Sequence, residues 1–223
     1  MIGSQHPCGR VFASFRSSPR RWLVPATALF CAGAAFAQVV GARAELPQVK
    51  VGDHWKFETR DKLTGAVQGT PDYVVTASSD TQIDLRVGRN GKAVWTPELT
   101  ALDSTRLSWE PGYRWLNFPL EVGKVWDFKT QWQRKDGSGS GRSQMDMVVK
   151  GYEKVSVRAG EFDAYRIEGT GFMNVEGTAI GNWNTRIVVK YWYAPAVRAT
   201  VRFEWEEKSN RTVTELIEAQ LAP

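Results

Sequence analysis

From about residue 50 onward, apolar and polar side chains trade places at every second position. Val197, Ala199, Val201, Phe203 and Trp205 fall on one side, and Arg198, Thr200, Arg202 and Glu204 on the other. Successive side chains of an extended chain point to opposite faces, so this pattern predicts a strand with one buried and one wet face. Trp126, Phe128, Thr130 and Trp132 form a second such stripe, and Ile187, Val189, Tyr191 and Tyr193 a third. A fourth, Val213, Ile217, Ala219 and Leu221, is interrupted by Glu215. Turn chemistry separates the runs: Asn90-Gly91, the stretch Asp136-Gly-Ser-Gly-Ser-Gly-Arg142, and Arg158-Ala159-Gly160-Glu161. A short helix over Pro97–Leu102 is the one helical candidate. Without alternating strand and helix signals the sheet should be antiparallel. The expectation is an all-β fold: a single antiparallel domain of about ten or eleven strands, as a twisted sandwich, open half-barrel or barrel.

The first 37 residues break this rhythm. Arg10, Arg16, Arg20 and Arg21 occur there with no acidic residue, and Trp22–Val40 carries no formal charge. Ala35-Phe36-Ala37 ends the stretch in a small-x-small pattern. A basic n-region, an apolar h-region and such a site make a secretory signal peptide over 1–37, with Ala42-Arg43-Ala44 a second cleavage candidate. An uncleaved anchor is a rival reading, weakened by Pro25, Gly33 and the many alanines. Arg20-Arg21 also leaves Sec and twin-arginine export both open. Residues 38–47 then read as a linker and 48–222 as the β domain. The expected location is the periplasm, with secretion beyond the outer membrane left open. Both cysteines, Cys8 and Cys31, lie in the leader, so the remaining domain needs neither a disulfide nor a thiolate site.

Net charge looks basic at +5, from 29 Lys and Arg against 24 Asp and Glu. Removing the four leader arginines leaves a nearly balanced domain, which gives no reason to expect the broad basic face a nucleic-acid partner requires, and none is expected as a partner. No metal or other cofactor is expected. The domain has one histidine, His54, no Gly-x-Ser-x-Gly elbow and no phosphate loop. No catalytic residue is assigned. Glu98, Asp103, Glu110 and Glu121 lie near aromatics, which keeps open a carboxylate-dependent hydrolase of envelope glycans.

Aromatic content is the positive signal. Nine of the ten tryptophans lie past the leader. Trp55, Trp126, Trp132 and Trp205 sit on alternating apolar faces and read as core. Trp109, Tyr113, Trp115 and Phe118 crowd a segment broken by Pro111 and Gly112, and Tyr191-Trp192-Tyr193 puts aromatics on both faces of one strand. A plugged end and a doubly covered strand explain these blandly; a ligand cleft explains them functionally. The candidate ligand-binding set is Trp109, Tyr113, Trp115, Phe118, Tyr191, Trp192 and Tyr193, with Arg114 as a polar partner. Val51-Gly52-x-x-Trp55-x-Phe57-x-Thr59 also matches Val122-Gly123-x-x-Trp126-x-Phe128-x-Thr130. Either a shared way of starting a half-buried strand or a duplicated half-domain accounts for it.

Several of these elements occur together and in order: Val51-Gly52-x-x-Trp55, Phe118-Pro119-Leu120-x-Val122-Gly123-Lys124-x-Trp126, Ala159-Gly160-x-Phe162-x-Ala164-x-Arg166-Ile167-Glu168 and Tyr191-Trp192-Tyr193-Ala194-Pro195-x-Val197. Over roughly Val51–Leu221 the chain resembles a family of exported, β-rich bacterial proteins classed as a domain of unknown function. The resemblance implies a Gram-negative envelope location and an antiparallel sheet, and no reaction. At the level of architecture such a sheet also looks like the periplasmic lipoprotein carriers, an analogy that fixes no function. The expected role is a non-enzymatic envelope protein that binds a lipid-like ligand, or a partner protein, in an aromatic-lined concavity. The hydrolase, or an assembly factor using an exposed sheet edge, is the alternative.

Overall fold

The structure, a computed structural model, describes residues 43–179, 181–208 and 210–223. The signal peptide and the first half of the linker expected ahead of the domain lie outside the described residues. Thirteen strands follow: β1 (His54–Asp61), β2 (Val67–Gly69), β3 (Asp72–Ser78), β4 (Ile83–Val87), β5 (Gly91–Trp95), β6 (Ala101–Asp103), β7 (Leu107–Tyr113), β8 (Val125–Arg134), β9 (Ser140–Val157), β10 (Gly160–Glu176), β11 (Trp183–Ala194), β12 (Ala199–Glu206) and β13 (Arg211–Gln220). This is slightly more than the ten or eleven expected, because short pieces such as β2 and β6 leave no alternation to read. No helix forms over Pro97–Leu102; the chain turns there, with Leu99 at φ 60, and enters β6.

Neighbours in sequence pair antiparallel from β3 through to β13, and β1 pairs with both β3 and β13. Twelve strands thus close into a barrel, and β2 adds a short outer pairing to β1. Of the architectures left open by the sequence, the barrel is the one formed. Closure leaves the ladder without a long bare edge.

Two sequence signals explain the hairpins. Gly88, at φ 57, turns the chain between β4 and β5 beside the expected Asn90-Gly91, and Gly137 and Gly139 do the same between β8 and β9. The alternation predicted for β12 is broken once. Trp192 faces Arg202 but Tyr193 faces Thr200, so Val201 is the extra residue of a bulge. Thr200, Phe203 and Trp205 line the interior, and Val201 is fully buried in the core.

One end of the barrel is filled. Leu116, Leu120, Tyr193 and Ala194 are at most 1% exposed. Ala44 belongs to this plug, exchanging two backbone hydrogen bonds with Leu120 at 3.0 and 2.8 Å. Trp126, Phe128, Met145, Met147, Ile187 and Val189 pack the wall next to it. Here Gly169 and Gly171 on β10 leave the space that the sulfur ends of Met147 and Met145 occupy.

The buried Asp53 locks the filled end. Its carboxylate accepts from the Lys50 backbone N–H at 2.9 Å, the Ala222 backbone N–H at 2.9 Å and the Arg198 guanidinium at 2.9 and 3.0 Å. One side chain so ties the approach to β1, the turn before β12 and the segment after β13.

Candidate aromatic chamber

Strand polarity places the rest of the interior. The beginnings of β1, β10 and β12 and the ends of β9, β11 and β13 meet at the filled end. Moving the other way, inward side chains stop filling space and begin to line it. A chamber of about 680 Å³ opens between them, within the range of small-molecule sites.

Aromatic rings are the largest class of side chain in its wall. Trp55, Phe57 and Tyr73 come from β1 and β3, Trp95 from β5, and Trp109, Tyr113 and Trp115 from β7 and just beyond it. Trp132, Trp183, Tyr191, Phe203 and Trp205 complete the circuit. Seven of the nine tryptophans past the leader therefore face one space. The rings brace one another: Trp95 meets Trp115 edge-on at 5.9 Å, Tyr113 meets Phe128 edge-on at 5.0 Å, and Tyr191 stacks on Phe203 at 4.7 Å.

Exposure tells which end is open. At the filled end the chamber floor is Trp55, Leu99 and Ala101, all buried, and the Trp55 Nε1–H is spent on the Val197 carbonyl at 2.8 Å. At the other end the lining includes exposed Arg134 and Asn210 with half-buried Trp183 and Glu207. That end is the mouth.

The polar groups inside are few. The Tyr113 and Tyr191 hydroxyls face each other at 3.4 Å. Burial pushes the Tyr113 phenol up to about 12 and raises Tyr191 well above its ordinary value. Glu207 is the one carboxylate among the described lining residues. Burial pushes its carboxyl above the ordinary range, against a Trp205 hydrogen bond that lowers it. Of six buried side-chain polar atoms without a hydrogen-bond partner among the described residues, four belong to lining residues: Trp132 Nε1, Trp183 Nε1, Thr200 Oγ1 and Glu207 Oε2. No cluster of three His, Cys, Asp or Glu side chains suited to a metal occurs among the described residues.

Four of the eight residues singled out by sequence line the chamber: Trp109, Tyr113, Trp115 and Tyr191. The other four lie elsewhere. Phe118 and Tyr193 meet edge-on at 5.1 Å in the plug. Trp192 points outward, donating to Glu153 at 2.9 Å under the Arg202 guanidinium. Arg114 is exposed and donates to the Asp127 carbonyl at 3.1 Å. Trp55, Trp132 and Trp205, read as core, are on the inward face as expected, but that face borders open space. Trp95 and Trp183 drew no assignment; their sole signal was an inward parity on short or loop-flanked strands.

The acids near aromatics do not converge here. Asp103 pairs with Lys135 at 2.7 Å, Glu121 with Arg43 at 3.2 Å, and neither Glu98 nor Glu110 borders the chamber.

The described domain is thus a closed antiparallel barrel, filled at one end and hollow at the other. The same fold is found in a protein of Bacteroides fragilis described as exported and as having a YmcC-like fold, at a TM-score of 0.53 and 12% identity, covering 80% of this chain and 100% of that one. A protein of Parabacteroides distasonis described as a lipoprotein is similar at 0.48 and 14%, over 81% of this chain and 100% of that one. YmcC of Escherichia coli, described as a hypothetical lipoprotein, is similar at 0.42 and 10%, over 77% and 85%. The sequence matches no family model and no curated protein.

Proposed function

We propose that this chain is an exported envelope protein whose barrel binds an apolar or amphipathic, lipid-like ligand without transforming it. One observation carries the reading: seven tryptophans, with Tyr and Phe beside them, surround a chamber of about 680 Å³ instead of closing it. Core aromatics gain most by touching each other on all sides. Rings held apart around a hollow keep apolar surface ready for a guest, at roughly 25 cal/mol per Å² covered.

The envelope location rests on the leader and on the descriptions of the proteins that share the fold, an exported protein among them. The Ala44–Leu120 bridge favours cleavage after Ala37, which keeps Ala44 with the barrel. A two-carboxylate hydrolase needs a second acid across the chamber from Glu207, and the described lining offers none. An assembly role through a bare sheet edge has only β2 to work with among the described strands.

Native mass spectrometry of protein purified from its own envelope tests this. The expected spectrum shows an added lipid-sized mass that organic extraction removes. Returning lipid to the stripped protein should then change its tryptophan fluorescence, since most of the indoles face the chamber. A bare mass, together with unchanged fluorescence across a panel of lipids, would overturn the proposal.

A further inference from the structure

Positive charge gathers along one arc of the barrel's mouth. Leu107 pairs with Arg134 there, β6 runs from beside Tyr113 to beside Ser108, and β5 ends beside Ala101. The β4–β5, β6–β7 and β8–β9 connections therefore lie together at the open end of the chamber. They also touch: a Cβ on Gly91 would stand 2.5 Å from the Thr105 side chain, and the Lys135 N–H donates to the Arg106 carbonyl at 2.9 Å.

Arg86, Arg89, Lys92, Arg106, Arg134 and Lys135 sit on or beside these connections, all exposed. Of the six, only Lys135 has a carboxylate within ion-pair distance among the described residues, Asp103 at 2.7 Å. Other nearby acids are engaged elsewhere: Asp72 by His54 at 2.8 Å, Asp84 by the Gln82 amide at 2.6 Å, and Asp136 by the Ser138 N–H and hydroxyl at 2.9 and 2.7 Å. Arg86 and Lys92 are register partners across β4 and β5. Like charges directly opposite one another weaken a strand pairing. A domain whose charges nearly cancel thus leaves cations uncancelled along part of its rim. The β10–β11 and β12–β13 connections, with Glu176, Glu206, Glu207, Lys208 and Arg211, show no such excess. The connection between β1 and β2, at the same end, presents apolar surface instead: Leu63 is 75% exposed and Val67 51%.

We infer that this rim docks on the anionic phospholipid surface of a membrane, with the cations of the arc against the headgroups and Leu63 in the interface. Such a surface works whatever the chamber holds. Charge spread over three connections meets a plane without any one side chain being aimed, and each Lys or Arg brought to it favours binding about fivefold. A hydrated acidic polymer would satisfy the cations and leave Leu63 and Val67 in water; the bilayer interface takes both.

Co-sedimentation of the processed chain with vesicles tests this. Vesicles of phosphatidylglycerol and phosphatidylcholine in equal parts should bind it about tenfold or more tightly than phosphatidylcholine alone, a margin that added salt erodes. Arg89→Gln, Lys92→Gln and Arg106→Gln together should remove most of that margin. Should the triple variant fail to fold, Arg106→Gln alone should lose about fivefold. Lys129→Gln, Arg142→Gln and Arg186→Gln take as many charges from exposed positions on β8, β9 and β11, and should leave the margin nearly intact. Leu63→Ser should weaken binding about tenfold at every salt concentration. Equal binding to the two vesicle types, no binding to either, or equal losses from the two triple variants overturns the arc as a membrane-docking surface. Capture on polyglutamate beads without sedimentation on vesicles overturns it in favour of an acidic protein. Unchanged binding by Leu63→Ser overturns the insertion of that loop.

Discussion

Asp53 is a charge with no solvent, 0% exposed, in a barrel that otherwise buries mostly carbon. It is stable there because four hydrogen bonds converge on two oxygens, two of them from a guanidinium. Removing such a carboxylate leaves Arg198 and two backbone N–H groups without their acceptor. Asp53→Ala should therefore cost about 3–5 kcal/mol in a urea unfolding experiment, and Asp53→Asn less, since one acceptor oxygen survives. A loss under about 1 kcal/mol for the alanine variant would mean that water replaces the carboxylate and that the three segments are held together by packing alone.

At the scale of the strand, β10 shows how the wall bends. A Cβ on Gly171 would run into the carbonyl oxygen of Gln144 on β9 and the sulfur of Met145. Glycine inside a strand marks such a close approach. Gly171→Ala should destabilise the barrel by about 3 kcal/mol, read as the urea midpoint at constant slope. Gly151→Ala on β9, where nothing lies within 4 Å, should change it by less than about 0.5 kcal/mol. Equal effects would show that backbone entropy rather than contact decides.

The same scale shows what could be read from the residues in advance. Alternation along β8 and β11 was legible and correct, because an unbroken ladder, to β9 and to β10 respectively, holds the period of two. Along β13 it misassigned Val213 and Ile217: Thr214 lines the chamber, Leu216 is fully buried, and Ile217 is the extra residue of a bulge opposite Lys56 and Phe57, which changes parity without leaving a mark in composition. The Val-Gly-x-x-Trp repeat marks the same local device twice. Gly52 and Gly123 sit at φ 95 and 91, and each donates its N–H to a strand that follows, at Val75 O and Val149 O. Each match then opens a run of six barrel strands, β1 with β3–β7 and β8–β13, once β2 is set aside. The chamber was half legible. Sequence distinguishes inward from outward; it does not distinguish an inward ring that fills from one that lines, because both present the same apolar parity. Trp55 and Trp205 were placed on the right face for that reason, with no hint of the hollow. Trp192 and Tyr193 fell outside it because adjacent residues on a strand cannot share a face, and because β11 runs past the chamber into the plug.

For the molecule as a whole, the interior sets a limit at high pH. Burial raises the phenols of Tyr73, Tyr113, Tyr165, Tyr191 and Tyr193 above their ordinary value of 10, Tyr113 to about 12. For an acid whose folded value is raised, the neutral form is the one the fold favours. The stability is fully present below pH 10 and is lost as pH climbs from 10 through about 12. Tyrosinate absorbance should accordingly lag behind that of free tyrosine and then rise together with the loss of β signal in circular dichroism. A titration completed while the β signal persists would mean that these phenols reach solvent without unfolding.

The joining of β1 to β13 has a last consequence. A cylinder with no seam has no side door. A ligand of the proposed kind would not slip between two strands as into an open, curled sheet; it would thread lengthwise past Arg134, Trp183 and Asn210. Bulk added at that lip would slow arrival and departure by the same factor, and so change how long a guest stays without changing how much of it is held at equilibrium.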